Sequence, residues 1–147
     1  MAPLLRNADF VVVLASLNSE TRGLLGAQEL SSMKVIVVFV NVARSGIVDE
    51  QTLAELALAR PQARLALEFF ERPPLAADHP LRRAPNAILT PHIIGHTRET
   101  LDRSPIVLPE EIRRAMQGTP PAYIRNPEVL HGWIARWGQN SVVSPSG

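Results

Sequence analysis

Two runs of apolar residues stand out in the first half of the chain. Residues 35–40 read V-I-V-V-F-V, and residues 10–15 read F-V-V-V-L-A. Short continuous apolar runs rich in β-branched residues are typical of strands buried on both faces of a parallel sheet. The hydrophobic pattern therefore predicts two buried parallel strands.

A loop and a helix follow the second run. The run ends at Asn41, and Asp49 is a residue that can cap a helix. Apolar residues recur at helical spacing after Asp49, and Pro61 disfavours helical geometry in the residue before it. The pattern predicts a helix over residues 49–60. It places Arg44 in a loop at the carboxyl end of a strand, where open α/β sheets bind ligands.

Weaker patterns extend this arrangement. They predict a short helix over residues 27–33 and further strands over residues 65–70 and 87–90. The intervening residues 71–86 contain several prolines, so we expect an irregular excursion there. Strands that alternate with helices predict an α/β fold with a parallel sheet.

Prolines interrupt the pattern in the second half of the chain. Thr97 can cap a helix, but Pro105 and Pro109 each remove a backbone donor and clash with the preceding turn. The sequence therefore predicts a short helix after Thr97 and a second helix that starts at Pro109. Gly118 is expected to end the second helix in a left-handed conformation.

The last part of the chain has less regular signals. Residues 123–124 are a candidate short strand, and a terminal helix would place Trp133 and Trp137 on one side because they are four residues apart. Residues 140–147 are expected to be disordered.

Composition limits the functional classes. The chain has 147 residues, of which 46% are hydrophobic and 20% charged, with a net charge of +1. This balance is typical of a soluble domain, and it gives no electrostatic support for binding nucleic acid or a membrane. The chain contains no cysteine, which excludes disulfides and thiolate chemistry and is compatible with a cytoplasmic location. His92 and His96 are four residues apart, but they lie in a predicted loop with no third ligand, so no metal site is predicted.

Four motifs resemble, in order and spacing, those of the D-isomer-specific 2-hydroxyacid dehydrogenases. They read L-N-S-E-T-R-G-L-L-G (residues 17–26), N-V-A-R-S-G-I-V-D-E (41–50), L-E-F-F-E-R-P-P-L (67–75) and L-T-P-H-I-I-G-H-T-R-E-T (89–100). The resemblance runs over residues 9–129.

The resemblance implies a partial Rossmann-like parallel sheet of the α/β class. Because the sequence contains no G-x-G-x-x-G, we expect the sheet to lack the glycine-rich first βα unit. Residues 1–118 would form a truncated NAD(P)-binding domain, and residues 119–147 a linker and carboxyl-terminal tail.

The resemblance also implies an activity: transfer of a hydride between NAD(P)H and C2 of a small 2-keto or 2-hydroxy acid. The catalytic residues would be Arg44, which binds the substrate carboxylate, and His92, which protonates the carbonyl oxygen. Without the motifs, Arg44 would be interpreted as a solvated surface arginine and His92 as a loop histidine bonded to backbone.

By the same matching, four residues would bind the cofactor, which is NAD or NADP: Thr21, Ala43, Glu68 and Gly95. Glu68 stands where the family has an aspartate that binds the nicotinamide carboxamide. Alternatively, the strand ends there and Glu68 is solvated. The missing glycine turn argues against independent cofactor binding.

The sequence departs from the family at informative positions. Pro73 occupies the place of the glutamate that pairs with the catalytic histidine, and Glu71 is a candidate substitute. Arg60 and Arg64 stand where the family often has glycine. These departures predict impaired catalysis.

The expected function is therefore that of a truncated and impaired oxidoreductase. The alternative is a non-enzymatic remnant or a protein-interaction module of the same fold. Half a sheet leaves an unpaired edge, so we also expect a homodimer or edge-mediated self-association.

Overall fold

The computed structural model describes residues 1–138, which belong to two units divided between Gly95 and His96. The first unit contains a four-stranded sheet in which all neighbouring strands are parallel. Its strands are β1 (Phe10–Val13), β2 (Val38–Asn41), β3 (Arg64–Leu67) and β4 (Ala87–Leu89). Their order in the sheet is β1-β2-β3-β4. The predicted α/β parallel sheet is confirmed.

Three α-helices accompany the sheet in the first unit: α1 (Ala2–Asn7), α2 (Ala27–Ser32) and α3 (Glu50–Ala59). The predicted α2 and α3 are confirmed, whereas α1 had no predicted counterpart. Short 3₁₀ helices at Ser45–Ile47 and Pro80–Arg83 lie in the loop after β2 and in the proline-rich excursion.

Asp49 caps α3 as predicted. Its Oδ1 atom accepts a hydrogen bond of 2.7 Å from the backbone N–H of Thr52. This backbone bond, together with a bond from the Thr52 hydroxyl, holds the pKa of Asp49 below its ordinary value. The cap satisfies an N–H group that has no partner within the helix.

The sheet is buried on one face rather than on both. Val11 and Phe39 join a single core cluster with buried residues of all three helices, such as Leu30. On the opposite face, Phe10 is 72% exposed and Ile88 is 68% exposed. The prediction of fully buried strands is therefore wrong, because an apolar run is equally compatible with a strand whose second face is uncovered.

The start of β2 was also predicted too early. Val35 and Ile36 are exposed and lie outside the strand, which begins at Val38. Hydrophobicity alone did not mark the point at which pairing with β1 begins.

Side chains with several hydrogen bonds fix the ends of the helices. The guanidinium of Arg60 donates to the carbonyl oxygens of Met33 and Ser31, at 3.0 and 2.9 Å, so a long side chain joins the ends of α3 and α2. The amide nitrogen of Asn86 lies within 3.1 Å of three carbonyl oxygens. They belong to Ala57, Arg60 and Ala63, which lie between the last turn of α3 and the start of β3.

The second unit begins with one long helix, α4 (Arg98–Met116), and not with the two helices predicted. Thr97 caps it as expected, and Gly118 has the expected left-handed φ of +67°. Pro105 and Pro109 lie inside the helix. Each proline removes only one backbone donor, and the remaining donors continue the helical pattern across both positions.

A helix α5 (Leu130–Trp137) follows a 3₁₀ turn at Pro127–Val129. Trp133 and Trp137 line one cavity with the end of α4, which confirms that they share a side. The strand predicted at residues 123–124 is absent from the described structure, in which Tyr123 is exposed. The expectation for residues 140–147 lies outside the described residues. Within the described part of the chain, every helix is too short or too polar to cross a membrane.

Candidate active site

The loops that follow the parallel strands meet at the carboxyl edge of the sheet. Arg44 lies after β2, and His92 lies after β4. Between them, Phe69 follows β3. The guanidinium carbon of Arg44 is 4.7 Å from the centroid of the Phe69 ring, and the centroid of the His92 ring is 4.2 Å from it. One aromatic side chain therefore brings both predicted catalytic residues into a single site.

Glu68 supports the loop that carries His92. Its carboxylate accepts hydrogen bonds from the hydroxyl of Thr90 and from the backbone N–H of Ile94, the latter at 2.6 Å. These partners lie on either side of His92, which has a φ of +57°, a left-handed value that is uncommon for a residue with a side chain. The Glu68 carboxylate thus bridges the two ends of a strained turn.

Glu68 is only 2% exposed, so the alternative of a solvated carboxylate is wrong. Burial raises the pKa of Glu68. The hydrogen bonds from Thr90, Ile94 and Ile93, together with the charge of His92, lower the pKa by more than burial raises it. The net result is a pKa below the ordinary value, so the buried group is held as the anion.

Asn41 organises the loop that carries Arg44. Its side-chain oxygen accepts from the backbone N–H of Ala43 at 3.1 Å, and its amide donates to the carbonyl of Arg44 at 3.4 Å. Arg44 itself donates from Nη1 to the carbonyl of Ala43 at 2.5 Å. The sequence pattern identified Asn41 only as the end of a strand. Its position as a polar residue directly after an apolar run was the signal that its side chain could bond to the backbone of the following loop.

Thr21 lies in the neighbouring loop after β1. Its hydroxyl donates to the carbonyl of Ser16 at 2.6 Å and accepts from the backbone N–H of Asn18 at 2.9 Å. The loops after β1 and β2 also pack closely, because a Cβ atom on Gly46 would lie 3.1 Å from the guanidinium of Arg22. Thr21 thus shapes a loop that borders the Arg44 loop.

Small residues occupy the edge where the resemblance places the cofactor. Ala43 is buried in the Arg44 loop. A Cβ atom built on Gly95, in the His92 loop, would meet no other atom within 4 Å, so intramolecular packing does not require glycine there. Gly95 is exposed, so the loop leaves room for a ligand beside it. The edge suits the nicotinamide end of a dinucleotide, although the sequence has no glycine-rich phosphate turn.

A cavity of about 490 Å³ adjoins His92. Pro73, which replaces the family's glutamate, lines this cavity. The backbone N–H of Glu71 donates to the carboxylate of Glu50 at 2.8 Å, and the other oxygen of Glu50 is 3.4 Å from Nε2 of His79. Glu50 therefore anchors the proline-rich excursion to the start of α3.

Residues 1–138 contain no group of three or more His, Cys, Asp or Glu side chains that could hold a metal ion.

The parallel sheet, with arginine and histidine loops at its carboxyl edge, defines a partial Rossmann-like fold of the NAD-binding class. The chain belongs to the D-isomer specific 2-hydroxyacid dehydrogenases, because the NAD binding domain of that family matches residues 1–94. The resemblance inferred from the motifs is confirmed.

Individual relatives agree with this assignment. The chain is 37% identical to glyoxylate/hydroxypyruvate reductase B of Escherichia fergusonii over 127 residues, covering 86% of the chain and 39% of the relative. It is 38% identical to D-3-phosphoglycerate dehydrogenase of Archaeoglobus fulgidus over 117 residues, covering 80% of the chain and 22% of the relative. The chain thus spans well under half the length of these relatives.

Solved structures show the same fold. The TT0316 protein of Thermus thermophilus superimposes with a TM-score of 0.76 at 33% identity, covering 82% of this chain and 39% of the other. A D-isomer specific 2-hydroxyacid dehydrogenase of Xanthobacter autotrophicus Py2, solved in complex with NADPH and MES, gives a TM-score of 0.61 at 32% identity. That match covers 82% of this chain and 49% of the other.

Proposed function

We propose that this chain carries the substrate-binding and proton-transferring half of an NAD(P)-dependent 2-hydroxyacid dehydrogenase site. The observation that carries the proposal is the contact of Phe69 with both Arg44 and His92, since it places a fixed cation beside a group that can transfer a proton. A 2-keto acid needs those two functions at adjacent atoms, its carboxylate and its carbonyl oxygen.

In the proposed reaction, Arg44 binds the substrate carboxylate with the N–H groups that do not donate to Ala43. A charge-assisted pair of this kind fixes the orientation of C2. NAD(P)H, when bound, supplies the hydride to C2. The proton on the His92 ring then moves to the carbonyl oxygen, which completes the hydroxyl group and leaves the imidazole neutral. The reverse reaction uses neutral His92 as the base.

Ala43, Gly95 and Thr21 are proposed to border the nicotinamide. Glu68 is proposed to contribute chiefly by holding the His92 loop in place. Both of its carboxylate oxygens already have hydrogen-bond partners within the chain. Binding of the nicotinamide carboxamide by Glu68 remains a prediction from the resemblance.

Pro73 supports the proposal that catalysis is impaired. It lines the cavity beside His92 and carries no carboxylate that could stabilise a protonated imidazole. The same observation favours the second candidate, a non-enzymatic relative that retains the fold. A cytoplasmic location and a homodimeric state stay predictions.

The first test is calorimetric binding of NADH to the 147-residue chain, followed by turnover with glyoxylate. A micromolar affinity corresponds to a binding free energy of about −8 kcal/mol. Arg44→Gln and His92→Gln should each abolish turnover, while His96→Gln, an exposed histidine four residues away, should retain it. No binding at millimolar NADH would contradict the proposed function and favour the second candidate, a non-enzymatic relative that retains the fold.

Glu71 is tested separately as a substitute for the missing glutamate. If it supports His92, Glu71→Gln will move the acidic or basic limb of the pH–rate profile. An unchanged profile would exclude this role.

A further inference from the structure

We propose that the cavity beside His92 binds a small aliphatic carboxylate, with Arg82 and His92 as the groups that hold its anionic end. This site is separate from the carboxylate site proposed at Arg44, because Arg44 does not line the cavity. Binding of an anion there does not require the proposed reaction.

Arg82 provides a fixed positive charge at the wall of the cavity. Its Nε atom donates to the carbonyl of Ala76 at 2.9 Å, and its Nη2 atom donates to the carbonyl of Leu75 at 2.7 Å. These bonds hold the guanidinium in place without neutralising it, since both acceptors are uncharged. Within residues 1–138, Arg82 forms no ion pair and its Nη1 atom has no acceptor. The guanidinium can therefore donate its remaining N–H groups to an anion.

His92 is the second group at the cavity that can carry a positive charge. Its ring packs against Phe69, and in the described part of the chain it forms no ion pair. Glu68 also lines the cavity, but it is almost fully buried, and its oxygens accept from Thr90 and Ile94. When His92 is protonated, two cations outnumber one carboxylate at the cavity. This balance of charge favours the addition of an anion.

The remaining walls favour an aliphatic ligand. Apolar side chains form most of the lining, among them Phe70, Leu75 and Leu89. The cavity has a volume of about 490 Å³, and ligand pockets have volumes of about 300–1,000 Å³. Each buried methylene group contributes about fourfold to affinity, so a short aliphatic acid should bind more tightly than acetate. An inorganic anion would meet the two cations but would leave the apolar walls in contact with water.

A carboxylate bound in this cavity would act on His92. A negative charge close to an imidazole ring favours the protonated form of the ring. Pro73, which lines the cavity, supplies no such charge, so the anion would come from outside the chain. In the proposed reaction the protonated ring is the proton donor, and occupancy of the cavity should therefore speed keto-acid reduction. Only this consequence rests on the proposed function.

The test is a chemical-shift titration of the full chain at about pH 6, where an ordinary histidine is mostly protonated. The probes are butyrate, acetate, sulfate and 1-butanol. Butyrate should bind about tenfold more tightly than acetate, because it buries two more methylene groups. Sulfate lacks the tail and 1-butanol lacks the charge, so both should bind more weakly than butyrate. The amides of Leu89 and His92 should be among those that shift.

Two pairs of variants test the charge at this cavity. Arg82→Gln should weaken butyrate binding at least about tenfold, because a hydrogen bond to a charged group is lost. Arg83→Gln removes the same charge from the next residue, which is also exposed, and should leave the affinity unchanged. Pro73→Glu leaves Arg82 intact but adds a competing carboxylate, so it should also weaken butyrate binding. Pro73→Gln, of similar size and uncharged, should weaken it much less. The spectrum of each variant reports whether the fold is retained.

The outcomes separate this inference from the proposed function. If Arg44→Gln abolishes butyrate binding and Arg82→Gln does not, the anion binds at Arg44 and the inference is overturned, while the proposed function stands. Sulfate that binds as tightly as butyrate, or no binding of butyrate to the folded natural chain, would also overturn the inference. If butyrate binds as expected but the chain does not reduce glyoxylate in its presence, the proposed function fails and the anion site stands.

Discussion

At the residue scale, Glu68 joins the end of β3 to the loop that carries His92. It is almost fully buried, and its oxygens bond to groups on both sides of His92. A buried carboxylate is stable only where such partners replace water. The position of His92 therefore depends on a residue that precedes it by more than twenty positions in the sequence.

Replacement of Glu68 tests this dependence. Glu68→Ala should lower the free energy of unfolding by about 2 kcal/mol at neutral pH, because the Ile94 N–H and the Thr90 hydroxyl lose their acceptor. Glu68→Gln keeps one acceptor and the side-chain shape, so it should cost about 1 kcal/mol. Urea denaturation measures both, and equal stability of all three chains would contradict the role.

The pH dependence of the same variants follows from the lowered pKa of Glu68. A carboxyl group with a lower pKa in the folded state stabilises the fold at pH values above its pKa in the unfolded state. That contribution is lost as the pH falls through the pKa of the folded state. The stability difference between the natural chain and Glu68→Gln should thus shrink on acidification. A difference that grows would refute the assignment.

Phe69 was not identified from the sequence. An aromatic residue after a strand is usually a core residue, and no spacing rule links it to loops that follow two other strands. Arg44 and His92 were identified because their motifs resemble a family. Their common neighbour depends on which strands are adjacent in the sheet, which the one-dimensional pattern does not contain.

Phe69→Leu tests whether the ring positions both residues. The affinity for oxamate, an amide analogue of a 2-keto acid, should fall about threefold, because an exposed cation–π contact contributes ~0.5–1 kcal/mol. The His92 ring protons should also change chemical shift as they lose the neighbouring ring. Phe10→Leu, on the exposed face of the sheet, is the matched control and should change neither value.

At the element scale, Asn86 fixes the end of α3 relative to β3. Its amide nitrogen approaches the carbonyl oxygens of Ala57 and Arg60 at the end of α3, and that of Ala63 directly before β3. Asn86→Ala should therefore lower the free energy of unfolding by about 2 kcal/mol. Asn7→Ala removes a comparable but exposed bond to Pro3 and should cost under ~0.5 kcal/mol. Similar costs at the two sites would show that burial of the Asn86 amide does not matter.

Helices with a clear cap and a clear stop were predictable from sequence, as α3 shows with Asp49 and Pro61. The continuous α4 was not. The proline rule describes an average cost, and it does not determine whether the other hydrogen bonds of a long helix exceed that cost.

The prolines inside α4 should nevertheless weaken it. Pro105→Ala restores a backbone donor in a helix that has no buried residue. Amide exchange across α4 in the full chain should slow by at least about tenfold, since proline costs a helix interior ~3 kcal/mol relative to alanine. Pro121→Ala, in the following loop, provides the control. Unchanged exchange in Pro105→Ala would mean that the proline is accommodated without cost.

At the scale of the whole molecule, the uncovered face of the sheet is the main departure from a fully layered α/β arrangement. Phe10, Val12 and Ile88 are exposed on it. Exposed apolar patches of this kind mark interaction surfaces or sites of aggregation. This face supports the prediction that the chain associates with itself.

Val12→Lys tests this prediction. The added charge should shift a concentration series in size-exclusion chromatography toward the monomer. Gln51→Lys adds the same charge on the exposed side of α3 and should leave the elution profile unchanged. A natural chain that elutes as a monomer at high concentration would contradict self-association.

The order of the strands in the sheet repeats their order in the chain. During synthesis, each strand can therefore join the growing edge as soon as it leaves the ribosome, and no earlier pair has to open to admit it. Each pairing closes a loop of similar, modest length, so the entropic cost of closing each loop is small. The first unit can thus assemble from its amino-terminal end while the second is still being translated.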